Sequence, residues 1–211
     1  MNRGATLLAA VAAVLFAPPA YAQFKSVNIR PFVVAAGERF AAQTAFNATF
    51  SSATSPVWGG GVDVVVRKQY FVDLTISRWS KSGQQAFLNN GDVFRLGIPV
   101  RVSSTPVELA AGYRFRLRTS RIIPYAGVGI GSYSYHQAAD FAAPGDDVDV
   151  RHAGFVLLGG AEVRVRKGVG VTGDVQFTRV PGILGQSGIS KDAGESDFGG
   201  VAARIRVILG R

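Results

Sequence analysis

Along most of this 211-residue chain, apolar residues alternate with polar ones at a period of two. That is the mark of strands with two unlike faces, and it restricts the fold more than any other feature. Val169, Val171, Val175 and Phe177 alternate with Gly170, Thr172, Asp174 and Gln176. Val201, Ala203, Ile205, Val207 and Leu209 alternate with Ala202, Arg204, Arg206 and Ile208. Val72, Leu74 and Ile76 interleave with Asp73, Thr75 and Ser77, and Val62, Val64 and Val66 with Asp63, Val65 and Arg67. Phe155, Leu157, Ala161, Val163 and Val165 interleave with Glu162, Arg164 and Arg166. Beyond residue 23 no apolar run reaches the roughly 18 residues that a membrane-spanning helix needs.

Strands are expected near 27–36, 56–67, 69–80, 92–116, 121–136, 151–167, 168–180 and 196–210. The links between them alternate strictly between long and short. Outer-membrane barrels show that rhythm, with short periplasmic turns and longer external loops. The expected fold is therefore all-β: a closed, up-and-down antiparallel transmembrane β-barrel of eight strands. One stretch strains the count. Phe94, Leu96, Ile98, Val100 and Val102 are even-numbered, whereas Val107, Leu109, Tyr113 and Phe115 are odd. The slip falls at 103–106 (Ser-Ser-Thr-Pro), which reads as a β-bulge or as a turn. A turn would make nine strands; a bulge keeps the alternation and is favoured.

Aromatics sort along the strands as well. Trp58, Trp79, Tyr133, Tyr135, Phe155, Phe177 and Phe198 fall toward the long-loop ends, and Tyr70, Phe71, Tyr113, Phe115 and Tyr125 toward the short turns. Two such girdles are expected where a barrel crosses two lipid interfaces.

Residues 1–22 carry Arg3, an apolar run from Ala5 to Ala17, Pro18-Pro19 and the small-residue site Ala20-Tyr21-Ala22. That layout predicts a secretory signal peptide cleaved before Gln23, leaving 23–211 as one barrel domain. The run is too short for a membrane anchor. Without cysteine the chain has no disulfide, Cys-ligated metal or lipoprotein anchor. An apolar content of 47% argues against disorder. The formal charge of +9 would by itself suggest nucleic acid or an acidic surface, but export argues against a nucleic-acid partner.

If the apolar face meets lipid, the polar face points inward. It brings Asp63, Asp73, Glu108, Glu162 and Asp174 against Arg114, Arg116, Arg164, Arg166, Arg204 and Arg206. Charges in so narrow a lumen should pair. Eight strands leave room for side chains or one small ligand, so the interior is a plug held by ion pairs or a narrow conduit for a small solute. Basic residues are expected to crowd the short-turn end, while Asp140, Asp146, Asp147, Asp149, Asp192, Glu195 and Asp197 occupy the third and fourth long loops.

Other motifs carry less. The 168–173 segment matches G-x-G-x-x-G, but it opens a strand where dinucleotide binding needs a helix. Gly127, Gly129 and Gly131 lie on one strand face, leaving space for bulky lumen neighbours; Gly59, Gly60 and Gly61 read as a kink near the rim. His136 and His152 flank the third loop and, with Asp140, Asp146, Asp147 and Asp149, make a candidate divalent-cation site at the rim. An ordinary acidic loop explains the same residues, so no metal and no cofactor is expected. Neither histidine stands in a His-x-Ser pair and Gly-x-Ser-x-Gly is absent, so no enzyme is expected.

Ile123-Pro-Tyr-Ala-Gly-Val-Gly-Ile-Gly131, following a strand that ends Gly-Tyr-Arg-Phe115, resembles the PYxGxGxG stretch of the small OmpW-like and related outer-membrane β-barrel domain families of Gram-negative bacteria. The resemblance is strongest over 92–136. It implies a strand rising after a periplasmic turn and, as function, passage of small hydrophobic molecules. The chain departs from the pattern in ending Ile208-Leu-Gly-Arg211, where such proteins end in an aromatic residue. The expectation is a monomeric, porin-like cell-envelope protein of the outer membrane. Its partners would be outer-membrane lipid and small hydrophobic solutes, its role structural or small-solute binding or passage. Phe40, Phe46 and Phe50 would line a funnel at the rim or pack onto the barrel mouth. The alternative is a soluble periplasmic barrel that binds a lipophilic ligand.

Overall fold

The structure, a computed structural model, describes residues 27–89, 92–115, 121–139, 148–186 and 188–210. The expected signal peptide lies outside them, as do Arg116, Asp140, Asp146 and Asp147. The strands are β1 (Val27–Phe40), β2 (Thr54–Val66), β3 (Tyr70–Asn89), β4 (Asp92–Ser104), β5 (Val107–Arg114), β6 (Ile122–Ala139), β7 (Val148–Arg166), β8 (Val169–Arg179) and β9 (Gly200–Leu209). Two helices sit in the loops, α1 (Gln43–Phe50) and α2 (Gly188–Asp192).

All strand pairings are antiparallel, and β1 closes the ring on β9. β4 and β5 act as one stave, since both lie between β3 and β6. The barrel thus has eight staves. Toward the turn end every strand is paired on both sides, the condition for strands to stand in lipid.

No bulge and no turn occurs at 103–106. Trp79 pairs with Ser104 and Ile76 with Val107, three residues further along both strands, so the register runs through unchanged. The ladder is only interrupted. Pro106 has no N–H to give, and Thr105 N donates to the Ser134 hydroxyl at 3.0 Å instead. The apparent slip has another cause. Even-numbered residues face inward on both sides of the break, but the lumen changes from apolar beside Val100 and Val102 to polar beside Glu108 and Arg114. Register shifts occur elsewhere, between Gln84 and Ala86 and between Arg164 and Arg166.

Strands also run past their expected ends. The second long link, expected over 81–91, is a hairpin in which Lys81 to Asn89 pair with Val102 to Asp92. Likewise β6 and β7 pair up to Gln137 and Val148. The glycines at 59–61 lie in unbroken register with both neighbours and make no kink.

Outside, the barrel shows Ile29, Val33, Val72, Ile76, Leu109, Val128, Ile130, Leu157, Val175 and Ile205 to its surroundings. This band is far larger than a water-soluble monomer tolerates, and lipid is the medium that covers it without cost. Trp58, Phe155 and Phe177 flank the band at the loop end, and Tyr70, Tyr113 and Phe115 at the turn end. The other expected girdle residues turn inward. Trp79, Tyr133, Tyr135, Phe198, Phe71 and Tyr125 are buried in the lumen, because their parity places them on the inner face.

Candidate functional site: a sealed lumen between two unlike mouths

From the turn end upward, the lumen is stacked in layers. Arg30 heads the first. It donates to both oxygens of Glu162 at 3.0 Å and to Asp63, its register partner on β2. Arg114 gives Glu162 a further bond of 2.6 Å. Two cations and two anions from four strands thus meet in one buried, neutral group.

The second layer joins Asp73, Asp174, Arg204 and Arg206. Arg204 Nε donates to Asp174 at 2.5 Å, again between register partners. Arg206 donates to Asp73, to the Tyr125 hydroxyl at 2.8 Å and to Thr172 at 3.2 Å. Its guanidinium also lies over the Phe32 and Tyr125 rings. The Tyr125 hydroxyl itself donates to Asp174 at 2.5 Å. Asp63 and Asp73 stand directly opposite each other on β2 and β3, an unfavourable arrangement that an arginine on each relieves. Above them Glu108 accepts from the Tyr133 hydroxyl at 2.6 Å and from Gln176 at 2.9 Å.

Glycine makes this crowding feasible. A Cβ on Gly112 or Gly127 would lie 2.6 or 2.8 Å from the Phe71 ring, and one on Gly131 or Gly154 within 2.7 Å of Tyr133. Alternate glycines on β6 therefore do leave space for bulky lumen neighbours.

Little free space remains. A chamber of about 30 Å³ above the second layer, bordered by Glu38, Trp79, Glu108 and Arg204, has room for about two water molecules. A second, of about 10 Å³, lies among Arg30, Asp63, Tyr125 and Arg206. No solute larger than water fits either.

Chemistry changes at the loop end. Phe40 stacks on Phe46 at 4.5 Å and meets Trp79 at 4.9 Å, and Phe198 joins both Trp79 and Tyr135. These rings close the mouth. Of the two expected uses of Phe40, Phe46 and Phe50, Phe40 and Phe46 pack onto the barrel mouth, while Phe46 and Phe50 also border a groove above it.

Helix α1 lies over the plug and is held by side chains from other loops. Its own N-cap, Ala42, offers no side-chain oxygen. Glu195, from the β8–β9 loop, accepts from Thr44 N and Ala45 N at 2.8 Å each. A carboxylate there meets both the free N–H groups and the positive end of the helix dipole. Arg95, from the β3–β4 hairpin, donates to Ala48 O at 3.0 Å and Ser51 Oγ at 2.9 Å at the other end. Between α1, α2 and the hairpin runs a groove of about 450 Å³, bordered by Phe50, Leu96, Val102, Tyr135, Leu184 and Ile189 among others.

Beside the groove, β2 and β3 part company. Their ladder ends at Trp58 and Arg78, and above it Lys81 bridges the seam by donating to Ser52 O and Thr54 O at 2.9 and 2.8 Å.

The candidate cation site does not assemble among the described residues. His136 and Asp149 are register partners on the outer face, whereas His152 points inward, because the sheet turns alternate residues to opposite sides. No group of three or more metal-ligating side chains occurs among the described residues.

Of the expected lumen charges, Asp63, Asp73, Glu108, Arg114, Glu162, Asp174, Arg204 and Arg206 are buried inside. Arg164 and Arg166 instead stand exposed at the turn-end mouth. The residue pattern passes over Arg30 and Glu38, sets Thr172 and Gln176 on the inner face without a role, and puts Tyr125 and Tyr133 in the lipid girdles. Arg30 shares its face with Phe32 and Val34, which hides it from a polar-face count. Tyr125 and Tyr133 are legible by parity, as inner-face residues. Charge sorting along the axis is also less simple than expected. Arg39, Arg78, Arg101, Arg151 and Arg179 are exposed and point outward near the loop end.

Neither a family model nor a curated protein sequence matches the chain. Solved structures do. The N-terminal β-barrel domain of Pseudomonas aeruginosa OprF covers 86% of this chain and 97% of its own at 12% identity, with a TM-score of 0.50. A major outer membrane protein from Thermus thermophilus covers 86% and 99% at 14% identity, TM-score 0.49. Neisserial surface protein A covers 86% and 96% at 12% identity, TM-score 0.44. The OprF likeness carries the fold: an eight-stranded barrel of the outer-membrane type.

Proposed function

We propose that the protein is an integral outer-membrane barrel with a sealed lumen, which binds small hydrophobic solutes at its external mouth. The groove of about 450 Å³ under α1 and α2 carries this reading. It has the volume and the mostly apolar lining of a small-molecule site. Its floor is the aromatic plug, so a solute entering it is held rather than passed down the axis. The sideways exit in this reading is the β2–β3 seam, where the ladder has ended and Lys81 bridges to Ser52 O and Thr54 O. This agrees with the hydrophobic-solute role that the OmpW-like resemblance implies.

Membrane seating is supported by the apolar outer band and by the outward arginines at its loop-end border, where they meet lipid phosphates. With short turns in the periplasm, the groove faces outward. The buried carboxylates are engaged by arginine, tyrosine or glutamine, which supports a structural rather than a catalytic use of them.

Trp58→Phe leaves Trp79 as the remaining tryptophan, inside the barrel beneath the groove. In nanodiscs, a brominated medium-chain alcohol is expected to quench it saturably, a non-quenching alcohol should compete, and Ala86→Phe in the groove wall should reduce the quenching. Quenching that rises linearly with lipid-phase concentration removes the groove as a binding site. Membrane fractionation with a gel-mobility shift on boiling tests the barrel itself, since a soluble protein with no shift would favour a periplasmic lipophilic-ligand barrel.

A further inference from the structure

The turn-end mouth is a basic vestibule of about 550 Å³. Its roof is the neutral Arg30–Asp63–Glu162–Arg114 group, in which Arg30 Nε is buried without a hydrogen-bond partner. Its walls carry Lys68, Arg164, Arg166 and Lys167. Arg164 lies 4.0 Å from Glu162, a carboxylate already claimed by Arg30 and Arg114. Among the described residues, Lys68, Arg166 and Lys167 have no carboxylate within ion-pair distance. The wall therefore has a charge excess facing a concave space.

A second observation is independent of charge. Three residues, Arg67, Lys68 and Gln69, link β2 to β3, and the first two have φ of 52° and 64°, left-handed values that disfavour any residue with a Cβ. The turn is closed by Gln69 N donating to Val66 O at 3.1 Å, and a turn whose two central residues are both left-handed is best made by Asn-Gly. Lys68, the one of the two that borders the vestibule, is kept here against the local preference of the backbone, the pattern expected where a side chain serves a site.

We propose that this vestibule binds phosphate anions. Two guanidinium forks and two ammonium groups around one cavity suit a multivalent oxyanion, which takes several charge-assisted bonds at once. The ion-pair roof stops such an anion from travelling further, so the vestibule is a binding site and not a pore entrance. The inference rests on the outer-membrane reading, which makes this mouth periplasmic. The phosphate comes from a soluble phosphorylated compound or from the headgroups of the inner leaflet.

Pyrophosphate titrated calorimetrically into the full-length barrel in phosphatidylcholine nanodiscs is expected to bind saturably. The double variant Arg164→Gln/Arg166→Gln should weaken it at least about tenfold, because two charge-assisted contacts are lost. Arg67→Asn/Lys68→Gly should weaken binding while raising resistance to denaturant. That separates the site from any folding defect. If pyrophosphate fails to bind but phosphatidylglycerol co-purifies with the wild type and not with the Arg164→Gln/Arg166→Gln variant, headgroups are the source. The proposal is overturned if neither anion binds, or if either binds the variants as it binds the wild type. A barrel that shifts on boiling yet binds no phosphate refutes only this inference. A chain that does not insert refutes the outer-membrane reading beneath it.

Discussion

The lower and upper halves of the lumen solve one problem in opposite ways. Both must fill the inside of a narrow barrel with side chains from the same strand faces. The lower half uses ions, and each buried charge finds its partner on another strand. The upper half uses aromatic rings and then borrows two helices from the loops to finish the seal. Ionic filling specifies which strand lies beside which, since Arg30–Asp63 and Arg204–Asp174 are also register partners. Aromatic filling tolerates shape changes but depends on loops that must be pinned in place.

The largest effect is expected from removing one member of the lower group. Glu162→Gln leaves Arg30 and Arg114 short of their shared anion and should cost about 3–5 kcal/mol, the usual penalty for an uncompensated buried charge. A urea titration of the folded fraction on unboiled gels measures it, and a loss below about 1 kcal/mol would show that water reaches this layer.

Phe46→Ala attacks the upper half and should cost about 3 kcal/mol by emptying the centre of the ring cluster. Because that half is built partly from loops, the loss should show first as faster proteolysis of residues 41–53, with the barrel still shifting on boiling. Simultaneous loss of the barrel would mean that the two halves unfold as one unit.

Glu195→Gln should be milder, about 1 kcal/mol, since it weakens the cap on α1 without opening a cavity. Hydrogen exchange at Thr44 and Ala45 reports it directly. Unchanged protection there would mean that the helix is held by its packing alone.

The smallest stability effect is expected at Lys81. Lys81→Met removes two exposed or half-buried bonds across the β2–β3 seam and should cost no more than about 1 kcal/mol. It should nevertheless speed entry of the brominated alcohol to Trp79. An unchanged entry rate would place the route over the top of α1 and not through the seam.

Much of this arrangement is legible in the residue order. Parity places Asp63, Asp73, Glu108, Arg114, Glu162, Asp174, Arg204 and Arg206 on the inner face, and all of them are there. Polarity misleads over 92–116, where parity does not. An apolar residue marks the lipid face only if the lumen is polar, but Val100 and Val102 face a lumen that has become apolar at that height. The same rule wrongly assigns Tyr125, Tyr133 and Trp79 to a lipid girdle. Strand ends are hidden from the sequence because the hairpin above Lys81 is held by backbone bonds between β3 and β4, whatever its side chains.

Residue order alone dictates a two-faced strand repeated with alternating long and short links, and hence a closed barrel with an apolar exterior. This follows because side chains in a strand alternate rigidly between faces, so local order is enough to sort them. Which side chains meet inside depends on the closed ring. Arg30 and Glu162 are 132 residues apart in the chain, and Arg206 and Asp73 are 133 apart. Their contact depends on stave number, register and ring closure together, and none of these is a property of a local stretch of residues. The same holds for the two mouths, where a helix cap and a cluster of cations arise from segments that only closure brings side by side.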